Sequence, residues 1–338
     1  MPSKKAASDG GRLAATGAAL TLAGAAANLG LPVVSTSSSS LPPAVAGECR
    51  ELTGKAGRMR CYVGGPPGGA PLLLVHSINA AASAYEMRPI YDWAVAQGRR
   101  VFAPDLPGFG GSDRSARDYG IRLYTDAVHD VLGLIAAECG SGPLDAAALS
   151  LGSEFLARAA TEAPDRFRTL TLITPTGFSR GSDRLRAAPG ASRELPGLHA
   201  AFNGALAGPL WGQRLFDLLV SRASIGFFLR KTNGSAAVDP GLWDYAYLTT
   251  HQPGARHAPF AFLSGKLFAR DIRTVYEKLA LPVWVPHATR GDFADFSEAG
   301  WAQARGNWRF TPMPTGAMPH FERPAEFCAQ YADFLARA

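Results

Sequence analysis

Ser150 is a candidate nucleophile because of the residues on either side of it. An apolar, strand-like run over residues 144–149 leads into a turn of small residues at Ser150, and an Ala-rich helical segment follows over residues 152–161. A serine on such a strand-to-helix turn exposes its hydroxyl, and the N–H of the next residue, Leu151, can donate to a developing oxyanion. A serine that only caps a helix has the same local pattern. The assignment therefore depends on partners elsewhere in the chain.

A candidate general base follows the last predicted strand. A β-like segment over residues 307–314 and a Gly/Pro-containing loop precede His320, and a final helix is predicted over residues 325–338. A histidine just past a strand can reach the carboxyl edge of a sheet, where Ser150 is expected to lie, and an imidazole there could take the serine proton. The alternative is a surface histidine without a catalytic role.

The candidate acid is Asp292, in the loop after a predicted strand over residues 281–288. A carboxylate in that loop would orient His320 and stabilise its imidazolium. Asp295 is the alternative, and we favour Asp292 because it follows the strand and Gly291 immediately. The loop after the preceding strand, residues 174–178, contains no carboxylate.

A candidate oxyanion loop follows the predicted strand at residues 71–76. Small residues dominate the stretch after His76, as expected where a backbone N–H must approach a substrate. His76 itself is interpreted as a structural residue of this loop. The second N–H donor would be that of Leu151.

Together these segments resemble the α/β-hydrolase fold superfamily, in its serine esterase and epoxide hydrolase-like branch. The run Asp-Leu-Pro-Gly-Phe-Gly-Gly-Ser-Asp at residues 105–113 is especially specific, and the resemblance spans about residues 60–338. It implies an α/β fold with a mainly parallel central sheet, helices on both faces and an inserted helical cap. It also implies the chain order Ser150, Asp292, His320, with oxyanion donors at Ile78 and Leu151. The family usually has Gly where this chain has Ser77, which leaves Ser77 open as the donor instead of Ile78.

The resemblance also implies a reaction class. Dehalogenases and epoxide hydrolases of this fold carry Asp at the nucleophile position, whereas this chain has Ser150. We therefore expect a serine hydrolase that acts on an ester or related acyl bond of a small molecule through an acyl-enzyme, without cofactor or metal. A carbon–carbon bond hydrolase or a cofactorless haloperoxidase of the same fold are alternatives. A non-catalytic binding protein of this fold is a further alternative.

Alternation of strands and helices divides the chain. It predicts a hydrolase core over residues 47–177 and 279–338. Between these, residues 178–278 have apolar residues at helical spacing and are predicted to form a cap over the carboxyl edge of the sheet.

Charge is concentrated near the amino terminus. Residues 1–60 hold seven basic and three acidic side chains, so they carry four of the six net positive charges. No basic stripe with interleaved aromatic residues occurs, so a nucleic-acid partner is not expected.

Residues 1–46 read as a signal-like or anchor segment and linker, with an uncharged Ala/Leu/Gly-rich stretch after Arg12. They predict export or membrane anchoring, with a cytoplasmic location as the alternative, and the oligomeric state is open.

Two of the four cysteines lie in one predicted hairpin. Cys49 and Cys61 flank a turn at residues 54–57, which would place the two thiols nearly opposite one another. An oxidising compartment would then permit a disulfide.

Overall fold

The central feature of the computed structural model is an eight-stranded sheet. The structure describes residues 41–180 and 211–338. The strands are β1 (Glu48–Gly54), β2 (Gly57–Gly64), β3 (Pro71–Val75), β4 (Arg100–Pro104), β5 (Leu144–Leu149), β6 (Phe167–Ile173), β7 (Val283–Ala288) and β8 (Trp308–Met313). They run in the spatial order β1-β2-β4-β3-β5-β6-β7-β8. β1 with β2 and β2 with β4 are antiparallel, and the other neighbouring pairs are parallel. The expected mainly parallel sheet is confirmed.

Helices connect the parallel strands, as the alternation predicted. The described helices of the core are α1 (Arg88–Ala96), α2 (Ile121–Cys139), α3 (Gly152–Glu162), α9 (Gly300–Gln303), α10 (Pro319–Glu322) and α11 (Pro324–Arg337). A short 3-10 helix, Ala84–Met87, precedes α1. Because His320 lies in α10, it belongs to a separate short helix before the last one.

Alternating side chains of the strands pack on the two faces of the sheet. Leu73 and Ala146 join an apolar cluster with residues of α2 and α3. Their neighbours Leu72 and Ala147 join a second cluster with residues of α1 and α11. Side chains of a strand point alternately to opposite faces, so near-continuous apolar strands bury both. The expectation of helices on both faces is confirmed.

Between β6 and β7, the described residues form five helices and no strand. These are α4 (Trp211–Leu219), α5 (Arg222–Asn233), α6 (Pro240–Thr250), α7 (His257–Leu263) and α8 (Ile272–Glu277). Phe216, Ile225 and Ala246 form part of an apolar cluster of their own, against which Ala80 and Ala81 of the predicted oxyanion loop pack. This helical layer therefore contacts the segment that follows β3. Residues 181–210 of the predicted cap lie outside the described residues.

Residues just before the predicted core boundary at residue 47 also pack on the described structure. Ala44 and Val45 are buried, and the carbonyl oxygen of Pro42 accepts a hydrogen bond of 2.9 Å from the Tyr245 hydroxyl. The signal-like stretch and most of the linker lie outside the described residues. No helix in the described ranges is long and apolar enough to cross a membrane.

The predicted hairpin forms, but the predicted proximity of its thiols is wrong. Gly54 pairs with Gly57, so Cys49 lies opposite Tyr62 and Cys61 lies opposite Arg50. A register offset of one residue moves a side chain to the other face of the sheet. Cys49 is accordingly exposed, Cys61 is buried, and both thiols are free.

Candidate active site

Ser150 adopts the strained conformation expected of a serine on a tight turn. It follows β5 directly and has a φ of +51°, in the left-handed region that non-glycine residues seldom occupy. Its N–H donates to the Ile173 carbonyl oxygen at 2.9 Å, and its own carbonyl oxygen accepts from the Ser153 N–H at 3.0 Å. These bonds fix the turn between β5 and α3. The strain they maintain is typical of functional positions.

The glycine of the turn is required by a close approach of the backbone. A Cβ at Gly152 would lie 2.3 Å from the carbonyl oxygen of His76. The turn that carries Ser150 and the segment after β3 are therefore packed directly against each other.

His76 stabilises the segment after β3, as the sequence suggested. Its Nε2 accepts a hydrogen bond of 2.9 Å from the Leu106 N–H, and its Nδ1 lies 2.6 Å from the Ser77 carbonyl oxygen. A carbonyl can only accept, so the proton is on Nδ1. Burial lowers the pKa of His76, which keeps the ring neutral.

Glu86, which the sequence did not indicate, is hydrogen-bonded to two residues of the candidate oxyanion loop. This residue of the 3-10 helix is buried, and its Oε2 accepts the Ser77 N–H at 2.9 Å. Its Oε1 accepts the side-chain amide of Asn79 at 2.7 Å, and that amide also donates to Ser77 Oγ at 2.8 Å. The only signal in the sequence was a single acidic residue within an otherwise uncharged stretch.

The two expected oxyanion donors differ from Ser77 in their bonding. The Ser77 N–H is occupied by Glu86. Within the described ranges, the N–H groups of Ile78 and Leu151 have no hydrogen-bond partner. One of these N–H groups is on the turn of Ser150, and the other is on the segment whose His76 packs against Gly152.

His320 is fully buried and is hydrogen-bonded to the backbone. Its Nε2 lies 2.7 Å from the carbonyl oxygen of Glu86, so this nitrogen carries the proton. Its Nδ1 is buried, without a hydrogen-bond partner in the part of the chain that the structure describes. The ring packs against Phe321 and Phe327, and burial lowers its pKa to about 4.

The two candidate acids have other partners. Asp292 is half exposed, and its Oδ2 lies 2.9 Å from Lys231 Nζ, at the carboxyl end of α5. Asp295 accepts the N–H groups of Arg180 at 2.9 Å and Ser297 at 3.0 Å. Neither carboxylate bonds to His320 in the described structure. The predicted triad of Ser150, Asp292 and His320 therefore stays a prediction, and its three side chains are not joined in this conformation.

The end of α5 contacts both loops that would supply the acid and the base. Besides the Lys231 ion pair, the Thr232 carbonyl oxygen accepts the Ala317 N–H at 3.1 Å, three residues before His320. A Cβ at Gly234 would lie 2.8 Å from the N atom of Gly291, next to Asp292. Helix α5 thus contacts both loops, and sequence reasoning missed these contacts between distant segments.

A second strained residue lies beside the turn and was also missed. Thr174 directly follows Ile173, whose carbonyl bonds to Ser150, and it has a φ of +42°. This conformation is unusual for a β-branched residue. The Thr174 side chain is buried, and its Oγ1 has no hydrogen-bond partner among the described residues.

Polar contacts join helix α3, which follows Ser150, to the segments before and after the helices that connect β6 to β7. Glu154 accepts bonds from Thr176 Oγ1 at 2.6 Å and from the Ala269 N–H at 2.8 Å. One turn later, Arg158 makes two buried hydrogen bonds to Asp271, at 2.6 and 3.1 Å.

Within the described residues, no group of three or more His, Cys, Asp or Glu side chains could hold a metal ion.

Comparison with known proteins identifies the family. The model of the alpha/beta hydrolase fold family matches residues 70–249. Over 145 residues the chain is 31% identical to a haloalkane dehalogenase of Psychrobacter cryohalolentis, which covers 40% of this chain and 44% of that protein. Over 112 residues it is 30% identical to a 2-hydroxymuconate semialdehyde hydrolase of a Pseudomonas species, covering 33% and 38%. The matches span less than half the length of either relative.

Solved structures share the fold across most of the chain. A 2-hydroxy-6-oxo-6-phenylhexa-2,4-dienoate hydrolase from Rhodococcus superposes with a TM-score of 0.64 and 19% identity, over 87% of this chain and 100% of that one. A carboxylesterase from Bacillus subtilis superposes with a TM-score of 0.61 and 16% identity, over 96% of both chains. These structures share the fold, and the family model, which matches more than half of the chain, shows that the chain belongs to the alpha/beta hydrolase fold family.

Proposed function

We propose that this protein is a serine hydrolase that cleaves an ester or related acyl bond of a small molecule. One observation carries the proposal: Ser150 is held at a φ of +51° on a strand-to-helix turn, and the N–H groups of the next residue, Leu151, and of Ile78 have no partners in the described chain. A strained serine beside free backbone donors is the arrangement that acyl transfer requires.

The proposed reaction has two stages. Ser150 Oγ attacks the acyl carbon while its proton passes to His320, and the N–H groups of Ile78 and Leu151 stabilise the oxyanion. The bond to the leaving alcohol then breaks, and the alcohol takes that proton. Water activated by the same imidazole hydrolyses the acyl-enzyme, releasing the acid and restoring Ser150.

The proposed triad requires rearrangement from the observed conformation. The Nε2 proton of His320 is directed at the Glu86 carbonyl oxygen, so only Nδ1 has a free lone pair. Asp292 would have to leave Lys231 to orient the imidazole. Catalytic hydrogen bonds are often incomplete without substrate, so the resting geometry is compatible with this role.

The same two contacts favour a second candidate function, a non-catalytic binding protein. A histidine bonded to the backbone and an aspartate paired with a lysine would serve to hold the fold together. A carbon–carbon bond hydrolase also stays a candidate, because one relative bears the name of a semialdehyde hydrolase. This alternative uses the same serine and differs in substrate.

Covalent labelling tests the proposal directly. The full chain is treated with a fluorophosphonate probe and assayed on p-nitrophenyl esters of increasing chain length. We expect stoichiometric labelling at Ser150, and the variant Ser150→Ala should lose labelling and turnover by many orders of magnitude while keeping its fold. Labelling at another residue, or none in the wild type, would reject the serine hydrolase and favour the binding protein.

A further inference from the structure

Glu86 bonds both to the candidate oxyanion loop and to His320, the candidate base. The carboxylate of Glu86 holds the oxyanion loop through the Ser77 N–H and the Asn79 amide. Its carbonyl oxygen, 2.7 Å from His320 Nε2, holds the candidate base. Among the residues that the structure describes, no other is hydrogen-bonded to both.

The carboxylate determines which N–H groups remain available. With the Ser77 N–H committed to Glu86, the next donor along the loop is that of Ile78. Asn79 Oδ1 also accepts the Ala81 N–H at 2.7 Å, so the amide bonded to Glu86 is itself fixed. A loop held at both ends in this way presents its N–H without reorganisation, on which oxyanion stabilisation depends.

The carbonyl determines the resting tautomer of His320. Because a carbonyl oxygen only accepts, the proton must be on Nε2, and the lone pair must be on Nδ1. Displacement of the 3-10 helix would therefore move the donor loop and the imidazole together.

We propose that Glu86 is a positioning residue that couples the oxyanion loop to His320. This inference rests on the proposed serine hydrolase function. Glu86 is not assigned contact with the substrate: it acts through the Ile78 N–H and through the ring of His320.

The test replaces the carboxylate without changing its size. In Glu86→Gln the side chain keeps one acceptor oxygen. Its new N–H group faces either the Ser77 N–H or the Asn79 amide, so two donors meet. We expect kcat and the rate of fluorophosphonate labelling to fall about 10- to 100-fold with KM little changed, the effect of a small misplacement of reacting groups.

A reciprocal exchange separates positioning from simple destabilisation. In Glu86→Gln with Asn79→Asp, the new amide at position 86 faces the new carboxylate at position 79, so donors again meet acceptors. We expect this double variant to recover most of the lost rate. Should Glu86→Gln fail to fold, Asn79→Ala removes only the amide partner and should slow labelling in the same direction.

Glu138→Gln is the matched control. Glu138 is partly buried and pairs with Arg100 at 2.8 Å, at the start of β4 and thus at the sheet edge opposite Ser150. It should lower stability without altering the labelling rate. If the wild type is labelled, and Glu86→Gln and Glu138→Gln are labelled at equal rates, the positioning role of Glu86 alone would be overturned. Absence of labelling in the wild type would overturn the proposed function, and this inference with it.

Discussion

Lys231 Nζ lies 2.9 Å from Asp292 Oδ2 and joins helix α5 to the loop after β7. The pair is partly exposed, so its contribution to stability is small, at most about 1 kcal/mol. Its importance is positional, because it gives the candidate acid a partner other than His320.

Releasing this pair should increase activity if Asp292 is the triad acid. We expect Lys231→Gln to raise the fluorophosphonate labelling rate by up to about fivefold, the factor that corresponds to roughly 1 kcal/mol. Arg222→Gln, which breaks an exposed pair with Asp244 within the cap, is the control and should leave the rate unchanged. A slower Lys231→Gln variant would show that the ion pair itself supports the active conformation.

The two candidate acids should respond differently to substitution by asparagine. Asp292→Asn should reduce kcat by on the order of ten-thousand-fold, because an amide cannot hold the required tautomer of His320. Asp295 accepts two backbone N–H groups, so Asp295→Asn should cost stability, about 1 kcal/mol, with little effect on kcat. Steady-state kinetics and urea unfolding of both variants distinguish these outcomes, and the reverse ranking would assign the acid to Asp295.

Burial of His320 should make stability depend on pH. Its pKa falls from 6.5 to about 4 on folding, so between these values the unfolded chain binds the proton more readily. The contribution of His320 to the unfolding free energy is therefore at its full value above pH 6.5. It is lost as the pH falls toward 4. We expect the wild type to lose on the order of 2–3 kcal/mol more unfolding free energy than His320→Gln between pH 7 and pH 4. Urea denaturation of both proteins measures this difference, and identical pH profiles would contradict it.

The cysteines of the hairpin should react at different rates and form no bridge. Cys49 is exposed, while Cys61 is buried on the other face and burial raises its thiol pKa. Iodoacetamide should therefore modify Cys49 in the folded protein at least about tenfold faster than Cys61, which reacts only when the fold opens. Mass spectrometry before and after reduction checks both points, and a Cys49–Cys61 disulfide would contradict the observed register.

Two truncations should separate the amino-terminal segment from the folded core. Deletion of residues 1–40 should leave the labelling rate and the melting temperature unchanged. Deletion of residues 1–46 also removes the buried Ala44 and Val45 and the bond from Tyr245 to Pro42, and should cost about 2–4 kcal/mol. Equal stability of the two truncated proteins would show that the contacts of residues 41–46 are dispensable. The proposal of export or anchoring is tested separately, by fractionating cells that express the full chain and the shorter one.

Local sequence determined the secondary structure and the order of the chemical groups. The apolar run over Leu144–Leu149 and the small residues after it predicted β5, the turn and α3, and the structure has them at these positions. Such elements depend on periodicity and turn residues within a few positions of each other, which one sequence displays directly. The same holds for the cysteine hairpin, whose strands and turn were predicted correctly.

Only the tertiary structure decided which side chains meet. The bonds of Glu86 to Ser77 and His320, and of Lys231 to Asp292, join residues that are far apart in sequence or separated by a turn. Their geometry depends on how the helices between β6 and β7 and the 3-10 helix pack on the sheet. The spacing of apolar residues along the sequence carries no information about this packing. The cysteine register failed for a related reason, since a shift of one residue reverses the face of a side chain and leaves the alternating pattern almost unchanged.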